Sequence, residues 1–171
     1  DYTQITVDSN TEIVAAAGET PTIKPDSATP AVTISGDKEL KIDGVDINSA
    51  DDTDAILSNN DNAGTLVSVS NATITMNAPS PTAEAYAITN GFTTGAAGTF
   101  VVDNVSVTSP QDDTEAAGVV LKAPGQSVTI RNSSFDSLDF GVQIAQGAGD
   151  QGVTVDNTSF TNLQDEGLIL N

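Results

Sequence analysis

The sequence predicts an all-β fold: a right-handed, single-stranded parallel β-helix, a solenoid of about six coils. The first observation behind this is a repeat. Val128-Thr-Ile130-Arg-Asn132-Ser-Ser-Phe135 matches Val153-Thr-Val155-Asp-Asn157-Thr-Ser-Phe160 almost position for position. Phe100-Val-Val102-Asp-Asn104-Val-Ser-Val107, Val67-Ser-Val69-Ser-Asn71-Ala-Thr-Ile74 and Leu40-Lys-Ile42-Asp-Gly44-Val-Asp-Ile47 carry it back toward the N-terminus. The anchors at 44, 71, 104, 132 and 157 stand 27, 33, 28 and 25 residues apart. The second observation is that each unit alternates apolar and polar residues with period 2, the signature of a strand with one inward face. The third is a wealth of Val, Thr, Ser, Asn and Gly, which disfavours a helical repeat of similar length. A β-sandwich also has short strands, but it does not need the same residue type at the same phase of every unit. Stacked coils do, because each sits about 4.8 Å above the last.

The elements follow in order. Residues 1–171 read as one β-helix domain, with 1–30 an N-terminal cap or first coil and 31–171 the repeat coils. Ile5-Thr-Val7, Glu12-Ile-Val14, Thr22-Ile23 and Val32-Thr-Ile34 are the expected strands of the irregular start, and Ala15-Ala16-Ala17-Gly18 suits a cap on an open solenoid end. Within each repeat the apolar-x-apolar stretch forms one strand. Asn or Gly then takes a turn conformation with positive φ, and the last apolar residue opens a second strand. A third apolar patch comes about ten to fourteen residues after each anchor, as in Tyr86-Ala-Ile88, Gly118-Val-Val-Leu121, Gly141-Val-Gln-Ile144 and Gly167-Leu-Ile-Leu170. The repeat stops at Asn171 on that third patch without a capping signal. Either a longer solenoid continues, or that open edge pairs with something else.

Charge narrows the partners. Twenty-four acidic residues face four lysines and a single arginine, for a net charge of −19. Nucleic acid and anionic membrane surfaces require the opposite surface. No run of 18 apolar residues exists, so no membrane insertion is expected. The chain starts at Asp1 without methionine or a basic-then-apolar leader, so any signal peptide has been removed or lies outside the sequence. With no cysteine and no histidine, disulfides, thiolate chemistry, the usual zinc ligands and histidine acid–base catalysis are excluded. Two settings suit an acidic, lysine-poor surface. One is molar salt, which shortens the Debye length to about 3 Å. The other is a calcium-rich exterior, where aspartates supply hard oxygen ligands. Both place the chain outside the cell, with the halophilic or marine setting ahead.

The V-x-I-x-N-x-x-F units with their G-[VL]-x-[IL] return resemble the pectin-lyase-like right-handed parallel β-helix superfamily over roughly residues 30 to 171. That resemblance implies the fold and a wide choice of roles: polysaccharide lyases and hydrolases, phage tailspikes, adhesin segments and surface proteins of halophilic and marine organisms. Its galacturonase-type hydrolases carry clustered aspartates with a G-H-G element. This chain has no histidine, and Asp112-Asp113 lacks the flanking glycine.

Three residue sets are candidates. Asn71, Asn104, Asn132 and Asn157 share one phase of the repeat and read as an internal asparagine ladder. Each also begins an N-x-[ST] sequon, so N-glycosylation is the alternative. Asp103, Arg131 and Asp156 form a charged outward column. It reads as a cross-strand salt bridge, or, on the resemblance to calcium-dependent lyases, as carboxylates beside a basic residue. Asp51, Asp52 and Asp54, with Asp112 and Asp113, are candidate calcium ligands on acidic loops that match no known calcium-loop spacing. A two-carboxylate glycosidase pair finds no residues singled out for it, and the serines have no histidine base.

The reading expected from these features is a non-catalytic extracellular structural module, a rigid acidic spacer, adhesin or surface-filament component. Alternatives are a carbohydrate-active or glycan-binding β-helix and a subunit that self-assembles through open β-helix ends. The partners would be further coils of a longer surface protein, other copies of the chain, or glycans. No cofactor is expected unless calcium is one.

Overall fold

The computed structural model describes residues 2–59, 64–78, 82–91, 98–110, 115–145 and 152–171. Alternation of inward aliphatic and outward polar residues marks most of the strands, and every pairing between the described strands is parallel. The first level holds β1 (Ile5–Val7), β2 (Thr11–Val14) and β3 (Thr22–Ile23). Above it lie β4 (Val32–Ser35), β5 (Glu39–Asp43) and β6 (Asp46–Asn48), then β7 (Ile56–Asn59) and the long β8 (Leu66–Thr75). Next come β9 (Ala85–Thr89) and β10 (Thr99–Thr108), followed by β11 (Ala116–Leu121), β12 (Ser127–Arg131) and β13 (Ser134–Asp136). The last level has β14 (Val142–Ile144), β15 (Gly152–Asp156) and β16 (Ser159–Thr161), and β17 (Leu168–Leu170) adds one strand beyond it.

Stacking gives a seven-stranded sheet, β1-β4-β7-β9-β11-β14-β17, facing a larger sheet whose main path is β2-β5-β8-β10-β12-β15. The chain is therefore a parallel β-solenoid. It makes about five turns, not six. Six levels in the larger sheet are joined by five steps, whereas the sequence count took every copy of the repeat as a full coil. Residues 5–23 form the first level, with β1, β2 and β3 paired to β4, β5 and β6. No described element is a helix, so none is long and apolar enough to cross a membrane.

The core is a set of columns in which like stacks on like. One runs Ile5, Val32, Ile56, Ile88, Val119, Val142, Leu168 through the register of the seven-stranded sheet. Another runs Ile47, Ile74, Val107, Phe135, Phe160. Burial falls away at the last level: Phe135 is buried and Phe160 half-buried, while Leu168 and Leu170 are 41% and 47% exposed. The two phenyl rings stack with centroids 5.4 Å apart.

Opposite these rings runs a column of glycines, Gly118, Gly141 and Gly167. A Cβ on Gly118 would lie 2.1 Å from the Gly141 carbonyl oxygen and 2.5 Å from Phe135 Cδ1, and one on Gly141 would lie 2.5 Å from Phe160 Cδ1. Glycine stands here because the rings and the facing backbone leave no volume for a side chain. In the middle of the rod β9 and β11 are buried on both faces, with Tyr86, Ala117 and Val120 forming a second apolar cluster against Phe140.

Candidate functional site: the asparagine corner

Each repeat bends between its two strands at the anchor residue. The anchors hold left-handed backbone: φ is 70° at Gly44, 52° at Asn71, 55° at Asn104, 53° at Asn132 and 43° at Asn157. Asparagine and glycine are the residues that tolerate this conformation. The turn also decides where the amide points. Val69 and Val102 face inward, and the next inward residues after the bend are Ala72 and Val105. The four asparagines between are exposed. The ladder expected inside the coils thus stands outside, on the corner, because a left-handed residue inserted into the alternation turns its own side chain away from the core.

The amides bond along the stack in a consistent direction, each Nδ2 donating to the coil below. Asn71 donates to Asp43 Oδ1 at 2.6 Å and Asn132 to Asp103 Oδ1 at 2.9 Å. Where the residue ahead of the lower anchor is not an aspartate, the amide goes to the lower asparagine instead. Asn104 donates to Asn71 Oδ1 and Asn157 to Asn132 Oδ1, both at 2.8 Å. The carboxylates receive a second donor from the residue stacked on them: Ser70 Oγ donates to Asp43 at 2.9 Å, and Arg131 Nη2 pairs with Asp103 Oδ2 at 2.7 Å. A second corner repeats the device with Asp136, which accepts from Thr161 Oγ1 at 2.6 Å and from Asn162 Nδ2 at 2.9 Å, Asn162 again having positive φ. A carboxylate in the lower coil thus clamps a donor-Asn pair in the upper coil. These bonds hold the three carboxyls below the ordinary carboxylate range: first the Asn71 amide at Asp43, the Arg131 guanidinium at Asp103 and the Thr161 hydroxyl at Asp136.

Of the charged column, Arg131 is therefore bonded to Asp103. Asp156 lies beside Arg131 in register and acts on it only as a nearby charge, and its carboxylate accepts no bond among the described residues. The corner frames an open groove of about 690 Å³, lined by the four asparagines and by hydroxyls that include Thr73, Ser106, Ser134 and Ser159. Those four are the hydroxyl residues of the sequons.

The acidic loop is dispersed. Asn77 Nδ2 donates to Asp51, Asp52 sits at φ 52° with its N–H on the Asn77 carbonyl, and Asp54 Oδ1 accepts the Tyr86 N–H at 2.9 Å. No three carboxylates among the described residues stand close enough together to hold a metal ion. Asp112 and Asp113 lie outside the described residues.

Sequence reasoning passed over one polar cluster. Tyr86 donates its hydroxyl to Glu84 Oε2 and accepts from Lys122 Nζ at 2.7 Å, and Lys122 is 3.6 Å from Glu84. Burial pushes the Asp54 carboxyl up to about 6 and raises Tyr86, and Glu84 and Asp54 add to the rise at the phenol. Asp139 is also raised, by burial and by the nearby Glu115, Asp165 and Glu84. A phenol held protonated in this way is a poor base, and its bonds leave it as a buried tyrosine with its polar tip satisfied. The available signal was Glu84-x-Tyr86, an acid two residues before a phenol at the start of a short strand. No family model, curated protein or solved structure matches this chain.

Proposed function

We propose that the chain is a non-catalytic structural module of an extracellular or cell-surface protein, a rigid acidic spacer of the adhesin or surface-filament kind. The observation that carries this reading is the engagement of the corner's charged groups. Asp43, Asp103, Asp136 and Arg131 each bond from one coil to the next. Their titration is driven further from neutrality, the acids downward and the guanidinium upward, whereas a general acid or base works best poised near the operating pH. Such bonds fix the register of coils, which suits a rod. The extracellular, halophilic setting is supported by the −19 charge, whose self-repulsion molar salt screens over about 3 Å. Kinship with surface members of the pectin-lyase-like superfamily is supported by the repeat's resemblance.

The test pairs two measurements. Thermal unfolding by far-ultraviolet circular dichroism, from dilute buffer to molar sodium chloride, is expected to show a melting temperature that rises with salt. Assays for reducing sugars and unsaturated products on acidic polysaccharides are expected to show no turnover. Turnover that disappears in Arg131→Ala or Asp156→Ala would replace this reading with the carbohydrate-active one. Glycan binding without turnover is a second reading, favoured by the groove of amides and hydroxyls along the corner. It predicts calorimetric binding of an oligosaccharide that Asn104→Ala weakens.

A further inference from the structure

The corner carries four N-x-[ST] sequons, and the fold leaves both of their chemical elements open. Asn71, Asn104, Asn132 and Asn157 are exposed, and the hydroxyl residues Thr73, Ser106, Ser134 and Ser159 line the same groove. The clamp itself does not require that hydroxyl. Asn162 makes the same clamp on Asp136 and is followed by Leu163 and Gln164, and Asp46 stands two residues after Gly44. A primary amide has two N–H hydrogens, and each sequon asparagine donates one of them down the stack. Two of the four are held from both sides. Asn71 donates to Asp43 and accepts from Asn104, and Asn132 donates to Asp103 and accepts from Asn157. Their carbonyl oxygens thus point to the coil above while the donated hydrogens point to the coil below. In a planar amide such a hydrogen is the one opposite the oxygen. The second hydrogen, on the oxygen's side, takes no bond among the described residues.

We propose that Asn71 and Asn132 are acceptors of N-linked glycan, with Asn104 and Asn157 as the unmodified rungs that brace them. In the transfer a bond forms between Nδ2 and the anomeric carbon of the sugar. The bond from that carbon to the diphosphate of a polyprenyl-linked oligosaccharide breaks, and the amide gives up one proton to the transferase's base. The product is a secondary amide, which is trans and keeps the hydrogen opposite its oxygen. That is the hydrogen Asn71 gives to Asp43 and Asn132 gives to Asp103, so the clamp survives the modification. The inference rests on the extracellular setting proposed above, since the chain must leave the cytoplasm to meet the lipid-linked donor.

The same geometry sets the other two apart. The oxygens of Asn104 and Asn157 accept no bond among the described residues, so nothing fixes which hydrogen faces outward. Spacing points the same way. Asn71 and Asn132 are two coils apart, about 9–10 Å on the usual strand spacing, whereas adjacent rungs stand a single spacing apart and would crowd two glycans.

The test secretes the full chain from cultured animal cells behind a cleavable leader, with one further sequon in an added C-terminal tail. Occupancy is read by mass spectrometry of glycopeptides. The leader imposes export and the tail sequon shows that the transferase was met, so the result bears on the acceptor sites and not on the extracellular reading. The expected result is glycan on Asn71 and Asn132 and little on Asn104. Thr73→Ala and Ser134→Ala, which keep both anchors, should abolish it. A second readout follows the clamp. Peptide N-glycosidase releases the sugar by turning the asparagine into aspartate, which cannot donate to Asp43 or Asp103, whereas an endoglycosidase leaves one sugar on an intact amide. The first treatment should lower the melting temperature by about 2–4 °C for each site, the shift expected from one lost hydrogen bond in a chain of this length, and the second should leave it unchanged. Bare Asn71 and Asn132 beside an occupied tail, or Asn104 occupied as fully as they are, would overturn the proposal. Equal melting temperatures after the two treatments would do the same.

Discussion

Substituting alanine for Gly118 tests whether backbone approach sets the spacing of the coils. The new Cβ would start 2.1 Å from the Gly141 carbonyl oxygen, and real Cβ atoms do not come within 3.0 Å of such neighbours, so the coils must part by most of an ångström. That carbonyl accepts the Val119 N–H at 3.0 Å, and the Gly118 N–H donates to the Phe140 carbonyl at 3.1 Å. Losing one or both bonds costs about 1 kcal/mol each. Overpacking against the Phe135 ring adds about 1–3 kcal/mol, so the expected total is about 2–5 kcal/mol. The assay is equilibrium unfolding in urea followed by far-ultraviolet circular dichroism. Gly18→Ala is the comparison: Gly18 has φ +83° and open space around its missing side chain, so its loss reflects backbone conformation alone, about 1–2 kcal/mol. Gly118 does not have positive φ, which leaves crowding as the cause. Relieving the ring with Phe135→Leu should recover little, since the oxygen remains in place. If Gly118→Ala proves no more destabilising than Gly18→Ala, the reasoning fails.

Three further outcomes are expected. The Asp54 carboxyl titrates near 6 in the folded chain, above its ordinary 3.8, so the stability it contributes is complete below about pH 3.8 and is lost as pH rises through about 6. Melting temperature should therefore fall between about pH 3.5 and pH 6.5 and level off above, and Asp54→Asn, which can still accept the Tyr86 N–H, should remove up to about 3 kcal/mol of that fall. Phe135→Ala should cost about 3–5 kcal/mol and Phe160→Ala no more than about half of that in the same urea assay, because only the first ring is covered on both sides. Asp103→Ala should cost about 1 kcal/mol or less in dilute buffer, and the difference from the unaltered chain should shrink in molar salt as screening weakens the Arg131 pair.

The solenoid was legible because stacking forces periodic demands onto the chain. An inward branched residue at every second place and a residue tolerant of positive φ at each bend are properties of single positions, and they recur visibly from Leu40 to Phe160. Other features depend on pairs of residues brought together from adjacent coils. Nothing local to Asn132 says that its amide reaches Asp103 while that of Asn104 reaches Asn71; the choice follows from what precedes the anchor one coil down. Gly118, Gly141 and Gly167 were readable as the start of the third strand. Their reason, Phe135 and Phe160 across the core, required the cross-section. The outward turn of the asparagines was missed for a similar cause. Period-2 alternation does not say which way an inserted left-handed residue faces. The Tyr86 cluster escaped because Glu84, Lys122 and Asp54 are spread over three coils.

Every asparagine amide on the corner reaches back one coil and none reaches two. A coil therefore answers to its neighbour alone, and the length of such a protein is open to change in whole units. Copying or deleting the stretch between two anchors imposes a single condition at the new junction: an aspartate or asparagine must stand where the incoming amide lands. Descent by duplication would leave the near-identity of the units ending at Phe135 and Phe160 as its trace. An error in one unit would likewise remain a local fault.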